Sequence, residues 1–176
     1  MNLLFRLLWM MAGTLFKERI DMLGELITHR RVLPSDLDIN FHMNNGRYMT
    51  LTDIERMELL LRCGAWKELR KNKWLPVLGG NMITFRKSLN PFEKYSIHTQ
   101  IICWDEKWLY IKHTFKRGDK IAAVNIVRGA FVGKEGRIPI SKMINLLGIT
   151  QKSPPCPEFI ADWKQADSGL FANVLK

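Results

Sequence analysis

The stretch Asp36-Leu37-Asp38-Ile39-Asn40-Phe41-His42-Met43-Asn44-Asn45-Gly46-Arg47-Tyr48 decides the reading of this chain, because it runs unbroken into a helix-forming segment that lasts to about Cys63. Its first half is a loop dense in groups that accept, donate or hold a proton: Asp36, Asp38, Asn40, His42, Asn44 and Asn45. Its second half sets Tyr48, Leu51, Ile54, Met57 and Leu61 at spacings of three and four, one face of an α-helix. Asn44 or Asn45 suits the N-cap, where a short side-chain oxygen accepts from an early helical N–H. Gly46 lets a ligand approach the backbone, and Gly64 is the expected stop. The first N–H groups of a helix lack partners within it, and the aligned peptide dipoles place partial positive charge there. A carbonyl oxygen gaining negative charge is stabilised at such a place. This junction is therefore the expected active site.

Past Met57 the run Leu59-Leu60-Leu61 makes the helix apolar nearly all round, which predicts burial. Asp53 with Arg56, and Glu58 with Arg62, read as local ion pairs on its other side. Upstream, Glu25 to Leu33 reads as a strand ended by Pro34. Downstream, Lys67 to Lys73 reads as a solvated connection. The period then changes: Val77 to Leu89, Lys94 to Asp105, Lys107 to Arg117 and Ile121 to Val132 are rich in β-branched and aromatic residues. Asn90-Pro91, Asp105-Glu106, Arg117-Gly118-Asp119 and Gly133 to Gly136 punctuate them as hairpin junctions, which predicts an antiparallel meander. A short helix at Ser141 to Leu147, a Pro-containing connector at Ser153 to Pro157 and a helical piece from Glu158 to Gln165 complete the chain. The expected fold class is α+β, a curved antiparallel sheet around one long central helix, because only the sheet offers a large apolar face to that helix. The expected divisions are an N-terminal apolar helix and linker (1–24), the sheet-and-helix domain (25–135) and a C-terminal helical extension (136–176).

Met1 to Phe16 is strongly apolar, interrupted by Arg6 and Gly13-Thr14 and ended by Lys17-Glu18-Arg19. A spanning helix needs about 20 apolar residues, so this segment is too short. Two readings stay open: a helix packed on the domain or its dimer partner, and peripheral membrane contact by a helix lying in the interface. A cleaved signal is a third, weaker one, since the apolar run resumes at Leu15-Phe16. A chain of 176 residues is one domain by size, and its net charge of +10 favours acidic partners. The basic residues are scattered, with no long run of the kind that marks a nucleic-acid tail, so no nucleic-acid partner is expected. Cys63, Cys103 and Cys156 are odd in number and share no CxxC spacing. Neither a disulfide framework nor a zinc site is expected, and a reducing, cytoplasmic setting fits. The four histidines are dispersed, which leaves a metal site without support.

The loop and helix start, from Asp36 to Tyr48, taken with the element order, resemble the hotdog-fold thioesterases. The likeness is to the 4-hydroxybenzoyl-CoA-thioesterase-like branch and to the plant acyl-carrier-protein thioesterases, over roughly residues 25 to 135. The resemblance implies a hotdog fold and a homodimer, or a higher oligomer of dimers, with sheets joined edge to edge and sites at the subunit interface. It assigns the working carboxylate to Asp38, and the plant-type Asp-x-Asn-x-His set to Asp38, Asn40 and His42. A plant-type catalytic glutamate would follow two basic residues in a later strand; here Arg86-Lys87 is followed by Ser88. The implied substrate is an acyl-CoA or an acyl-carrier-protein thioester, with coenzyme A or phosphopantetheine belonging to the substrate and no separate cofactor.

Thioester hydrolysis needs a nucleophile or an activated water, an electrophilic aid for the carbonyl and exclusion of bulk water. Asp38 is the candidate for the first role, attacking directly or acting as general base. The backbone at Asn45 and Gly46 would polarise the carbonyl, and Asn40 and His42 would orient water or carry a proton. Arg47 either contacts a substrate phosphate or is simply solvated. The plainer roles are an Asp38 that bonds its own turn, a His42 that braces the loop, and an Asp53 that serves only its ion pair. Two functions from other classes stay in view: a non-catalytic acyl-binding or membrane-associated protein of the same fold, and a dehydratase, whose differently placed histidine finds no counterpart here.

Overall fold

The computed structural model describes residues 3–14 and 16–174. Met1, Asn2 and Leu15 of the apolar N-terminal segment lie outside the described residues, as do Leu175 and Lys176. The chain order is α1 (Leu3–Thr14), β1 (Leu26–Arg31), a 3-10 turn (Pro34–Asp36), α2 (Asn45–Arg62), α3 (Ala65–Asn72), β2 (Leu75–Phe85), β3 (Lys94–Trp104), β4 (Leu109–Arg117), β5 (Lys120–Gly133), β6 (Gly136–Ile138), α4 (Ile140–Leu146) and α5 (Glu158–Val174). The strands form one antiparallel sheet in the order β1-β3-β4-β5-β2, with β6 pairing the end of β5. The sheet curls around α2, the architecture expected from the sequence.

Helix α2 begins and ends within a residue of expectation. Asn44 is its N-cap, its side chain accepting from the Gly46 N–H at 2.8 Å. Tyr48, Leu51 and Ile54 are buried as predicted, in a cluster with Val32, Ile97 and Phe115. Met57 and Leu61 are only half-buried. Two carboxylates, Glu55 and Glu58, take part of the buried face instead. Arg30 of β1 donates to Glu55 at 2.6 and 2.8 Å, and the Thr28 hydroxyl donates at 2.8 Å. Lys17 donates to Glu58 at 2.7 Å, and Arg62 lies 3.5 Å from it. The expected Glu58–Arg62 pair therefore exists, but Glu58 is buried and not on a solvated face. Burial pushes the Glu55 carboxyl up, against the opposing charge of Arg30 and the Thr28 hydrogen bond.

Four expectations are corrected. Residues 67–72 belong to a helix, α3, which Lys73 caps and whose buried Ala65 and Leu69 stand four apart in a sequence rich in charge. The strands do not form one meander: β3, β4 and β5 do, while β2 crosses to the far side and pairs with β5. Asn90-Pro91 is thus a crossover and not a hairpin. The C-terminal helix runs on to Val174, with Ile160 and Trp163 packed on the outer face of the sheet. Two of the three cysteines are joined, Cys103 of β3 to Cys156 of the connector before α5. A register shift between Ile101 and Cys103 explains the geometry, because a bulge carries Cys103 to the outer face where α5 lies.

The outer face is fastened by charge as well. Arg128 of β5 donates to the Gly79 carbonyl at 3.0 and 3.1 Å and to Asp167 of α5 at 2.7 Å. Its guanidinium carbon lies 4.9 Å from the Trp108 ring and 5.1 Å from that of Trp163. Trp104 packs against the core cluster that holds Ile101 and Leu109, and Trp108 against the one that holds Cys103 and Tyr110. Gly79 sits at a bulge in β2, and a Cβ there would come within 2.1 Å of Trp108. No helix among the described residues is long and apolar enough to cross a membrane.

Candidate active site

The loop between β1 and α2 is anchored from below. Asp36 is fully buried, and Arg6 of α1 grips both its oxygens at 2.7 Å. The Leu33 N–H adds a bond at 3.0 Å. The segment beyond Asp36 folds back on itself: Leu37 bridges Met43, the Asp38 N–H donates to the His42 carbonyl at 2.9 Å, and the Asn44 N–H donates to the Asp36 carbonyl at 2.8 Å. Phe41 turns the corner at φ 56°, a backbone conformation uncommon for any residue but glycine.

Asp38, half-buried, uses one oxygen for the turn. Oδ1 accepts from the Asn40 N–H at 2.8 Å and, more weakly, from the His42 N–H at 3.4 Å. The plain role of a turn former is thus real. Oδ2 takes no hydrogen bond from the described residues. The Asn40 and His42 side chains are exposed beside it. At the helix start the Gly46 N–H is occupied by the cap, whereas the Asn45 N–H has no acceptor among the described residues. Of the two backbone groups expected to polarise a carbonyl, Asn45 is the unengaged one. Arg47 bends back to the Ser35 carbonyl at 2.9 Å and lies 3.8 Å from Asp36.

Asp38, Asn40, His42, Asn45, Tyr48 and Ser88 line a polar cleft of about 320 Å³ that Phe85, Arg86 and Lys87 complete. The structure therefore brings the Arg86-Lys87-Ser88 run to the loop, so the position where a plant-type enzyme would carry glutamate faces the same cleft as Asp38. Burial pushes the Tyr48 phenol up to about 12, so it enters any chemistry as a neutral hydroxyl.

A second cavity, apolar and about 150 Å³, lies between α2 and the sheet. Met57, Leu60, Cys63, Val77, Leu109 and Phe131 are among its walls, and Asp53 with Arg56 lines it too. Asp53 and Arg56 form the ion pair expected from their spacing. Cys63 is one of its walls, and burial raises its thiol, which disfavours the thiolate. Sequence reasoning missed this cavity because its walls come from helix and strands far apart in the chain.

Beneath α2 runs a buried polar row, Thr99, His113 and Asn125, neighbours across β3, β4 and β5. The Thr99 hydroxyl and His113 Nδ1 are 2.9 Å apart, and Asn125 donates to Thr52 of α2 at 3.3 Å. Burial, helped by the charge of Arg56, holds the His113 imidazole well below its usual range. No group of three or more His, Cys, Asp or Glu converges as a metal-binding set among the described residues.

A curled antiparallel sheet around one helix, with an acidic loop delivered to that helix's N-terminus, defines a hotdog protein of the thioesterase type. The sequence profile of the thioesterase-like superfamily matches residues 32–164, and the chain belongs to that family. Among its relatives, protein THEM6 of Xenopus laevis is 32% identical over 145 residues, covering 81% of this chain and 69% of that protein. The probable thioesterase YBR096W of Saccharomyces cerevisiae is 36% identical over 111 residues, covering 59% of this chain and 46% of its own length. The matched part thus spans from about half to two thirds of these relatives. Among solved structures, the YbaW probable thioesterase of Escherichia coli superposes with a TM-score of 0.66 at 14% identity, covering 70% of this chain and 96% of its own. SAV2348 of Staphylococcus aureus, solved in complex with CoA, gives 0.61 at 17% identity, covering 81% and 94%. At such identities the structural likeness speaks to the hotdog fold alone.

Proposed function

We propose that the protein hydrolyses acyl thioesters of coenzyme A or acyl carrier protein in the cleft headed by Asp38. The observation that carries the reading is that the Asp38 carboxylate, with one oxygen unengaged among the described residues, lines the same cleft as Asn45, whose N–H at the start of α2 is likewise unengaged among them. Oδ2 attacks the thioester carbon, or takes a proton from the water that does. The Asn45 N–H and the helix dipole stabilise the oxyanion. Asn40 and His42, exposed at the rim, orient the water or return a proton to the leaving thiolate. Arg86, Lys87 and the net charge of +10 favour a phosphorylated substrate at the cleft mouth.

The reading extends to a twofold dimer. Strand β2 is the end strand of the sheet, paired on one side only, and Leu75, Val77 and Leu78 are exposed along it. An exposed apolar edge of this kind invites a further strand. The polar cleft touches the end of β2 at Phe85 and the residues after it, and the apolar cavity touches its start at Pro76, Val77 and Leu78. Antiparallel pairing of two β2 strands about Asn81 would set Pro76 of one copy opposite Arg86 of the other. Each Asp38 cleft would then meet the partner's apolar cavity, which suits an acyl chain.

The test is free-thiol release from a panel of acyl-CoAs and an acyl-carrier-protein thioester, wild type beside Asp38→Asn. Release by wild type, and at least about a hundredfold less by a variant of unchanged unfolding midpoint, is expected. Release by neither protein, or by both alike, would overturn the reading. A non-catalytic acyl-binding protein is the second reading, favoured by Ser88 in place of a plant-type glutamate and by the engagement of Asp38 Oδ1 in the turn. It predicts retention of acyl ligand by both proteins without product.

A further inference from the structure

Helix α1 presents two different faces. Its inner stripe packs Met10, with Leu3 and Leu7 partly buried, against Val32, Met43 and Leu51, and turns Arg6 down to Asp36. Its outer face carries Leu4, Phe5, Leu8, Trp9 and Met11, all exposed, with Phe5 64% and Trp9 83% accessible. Arg6 is the sole charge on α1, and it points inward. Among the described residues, no acidic side chain precedes Glu18, and Lys17 and Arg19 follow the helix.

An apolar face of this size on a short helix calls for a cover, and a second copy joined through β2 would not supply one. The contacts of α1 and of the segment after it are with the loop at Asp36 and with α2 at Glu58 and Arg62, on the side where Arg30 of β1 also reaches α2. Strand β1 is the opposite end of the sheet from β2. The loop that Arg6 anchors carries two further apolar side chains into solvent, Ile39 at 93% and Phe41 at 72%. Phe41 is held there by the unusual backbone turn at φ 56°.

We propose that the outer face of α1 lies in the headgroup region of an anionic lipid bilayer, and that the buried Arg6–Asp36 pair fixes the catalytic loop to the helix that docks. The occupant is chosen by charge and residue type. Tryptophan and phenylalanine on an otherwise uncharged face suit the interfacial zone. A chain of net charge +10, with Arg19 exposed after the helix and Arg86 and Lys87 at the cleft, complements anionic headgroups. Docking there holds the Asp38 loop close to the bilayer through a connection that is already rigid.

The experiment is co-sedimentation of the full chain with vesicles of phosphatidylcholine alone, or of phosphatidylcholine mixed with phosphatidylserine. The wild type is compared with Phe5→Ser/Trp9→Ser, a double variant that leaves the inner stripe and Arg6 untouched. Wild type is expected to sediment with the anionic vesicles, less so as salt rises, and the variant to partition at least about tenfold more weakly. No sedimentation of wild type, or equal partition of the two proteins, would overturn the proposal. So would a drop in the particle mass of the variant in lipid-free solution, since the face would then be an interface between copies. The readout is sedimentation and mass, so a failure of thioester hydrolysis leaves the proposal standing, and the converse also holds.

Discussion

Replacing Arg6 by methionine removes the clamp under the loop that carries Asp38 while keeping the apolar length of the side chain. The wild-type guanidinium makes two bonds of 2.7 Å to a carboxylate, with side-chain accessibilities of 9% for Arg6 and 0% for Asp36. Removing one member of a buried pair typically costs about 3 to 5 kcal/mol, because the survivor is left charged and poorly solvated. Two features place this case at the lower end. Asp36 keeps the Leu33 N–H at 3.0 Å, and Arg47, now 3.8 Å away, can close on it. Among the described residues the Arg6 Nε is also buried without a partner, a penalty the variant escapes. The expected loss is therefore about 3 kcal/mol. With a urea slope of about 2 to 3 kcal/mol per molar, the unfolding midpoint, followed by tryptophan fluorescence, falls by about 1 to 1.5 M. Adding Asp36→Asn should recover about half of the loss, since an amide leaves no buried charge behind. A midpoint for Arg6→Met indistinguishable from wild type, or a double variant no better than the single one, would refute the reasoning.

Three other outcomes follow from the same structure. His113 is buried and its imidazole held low, so the unfolded chain takes up a proton below about pH 6.5 that the folded chain refuses. Its contribution is intact above that pH and lost as the pH falls toward the folded value, by up to about 1.4 kcal/mol per pH unit. His113→Gln should remove that slope, and a wild-type-minus-variant difference constant from neutral to acid would count against it. Gly79→Ala drives a methyl group against the Trp108 ring, which Arg128 and Arg137 hold in place, and should cost about 2 kcal/mol in urea unfolding; a neutral effect would mean that the ring moves freely. Cys103 and Cys156 close a loop of 53 residues. Cys156→Ser should therefore lower stability by up to about 4 kcal/mol on loop-closure grounds, and equal unfolding midpoints with and without reductant in wild type would argue that the link does not form in solution.

Much of the molecule was legible locally. The limits of α2, its Asn44 cap and the extent of β3, β4 and β5 follow from spacing and from turn residues, whereas β2 ends at Phe85 and not at Leu89. Such signals act within a few residues, where backbone sterics and capping decide the conformation. Asp38, Asn40 and His42 were visible as a cluster because they occupy one short loop. Helix α3 was hidden because Ala65 and Leu69 are its buried pair amid charged residues, and four residues' separation is a weak signal in so short a segment.

What the sequence by itself determined is the central helix, the acidic loop at its start and the strand content, because each is set by neighbours along the chain. Only the tertiary structure decided which strands lie side by side, and so sent β2 past β3 to the far edge. It also turned Cys103 outward at the bulge to meet Cys156, and it brought Arg6 across 30 residues to the buried Asp36. The reason is common to all three. A strand edge, a bulge and a buried charge are each satisfied by whichever distant partner the packing of the whole core makes available, and no local pattern records that choice.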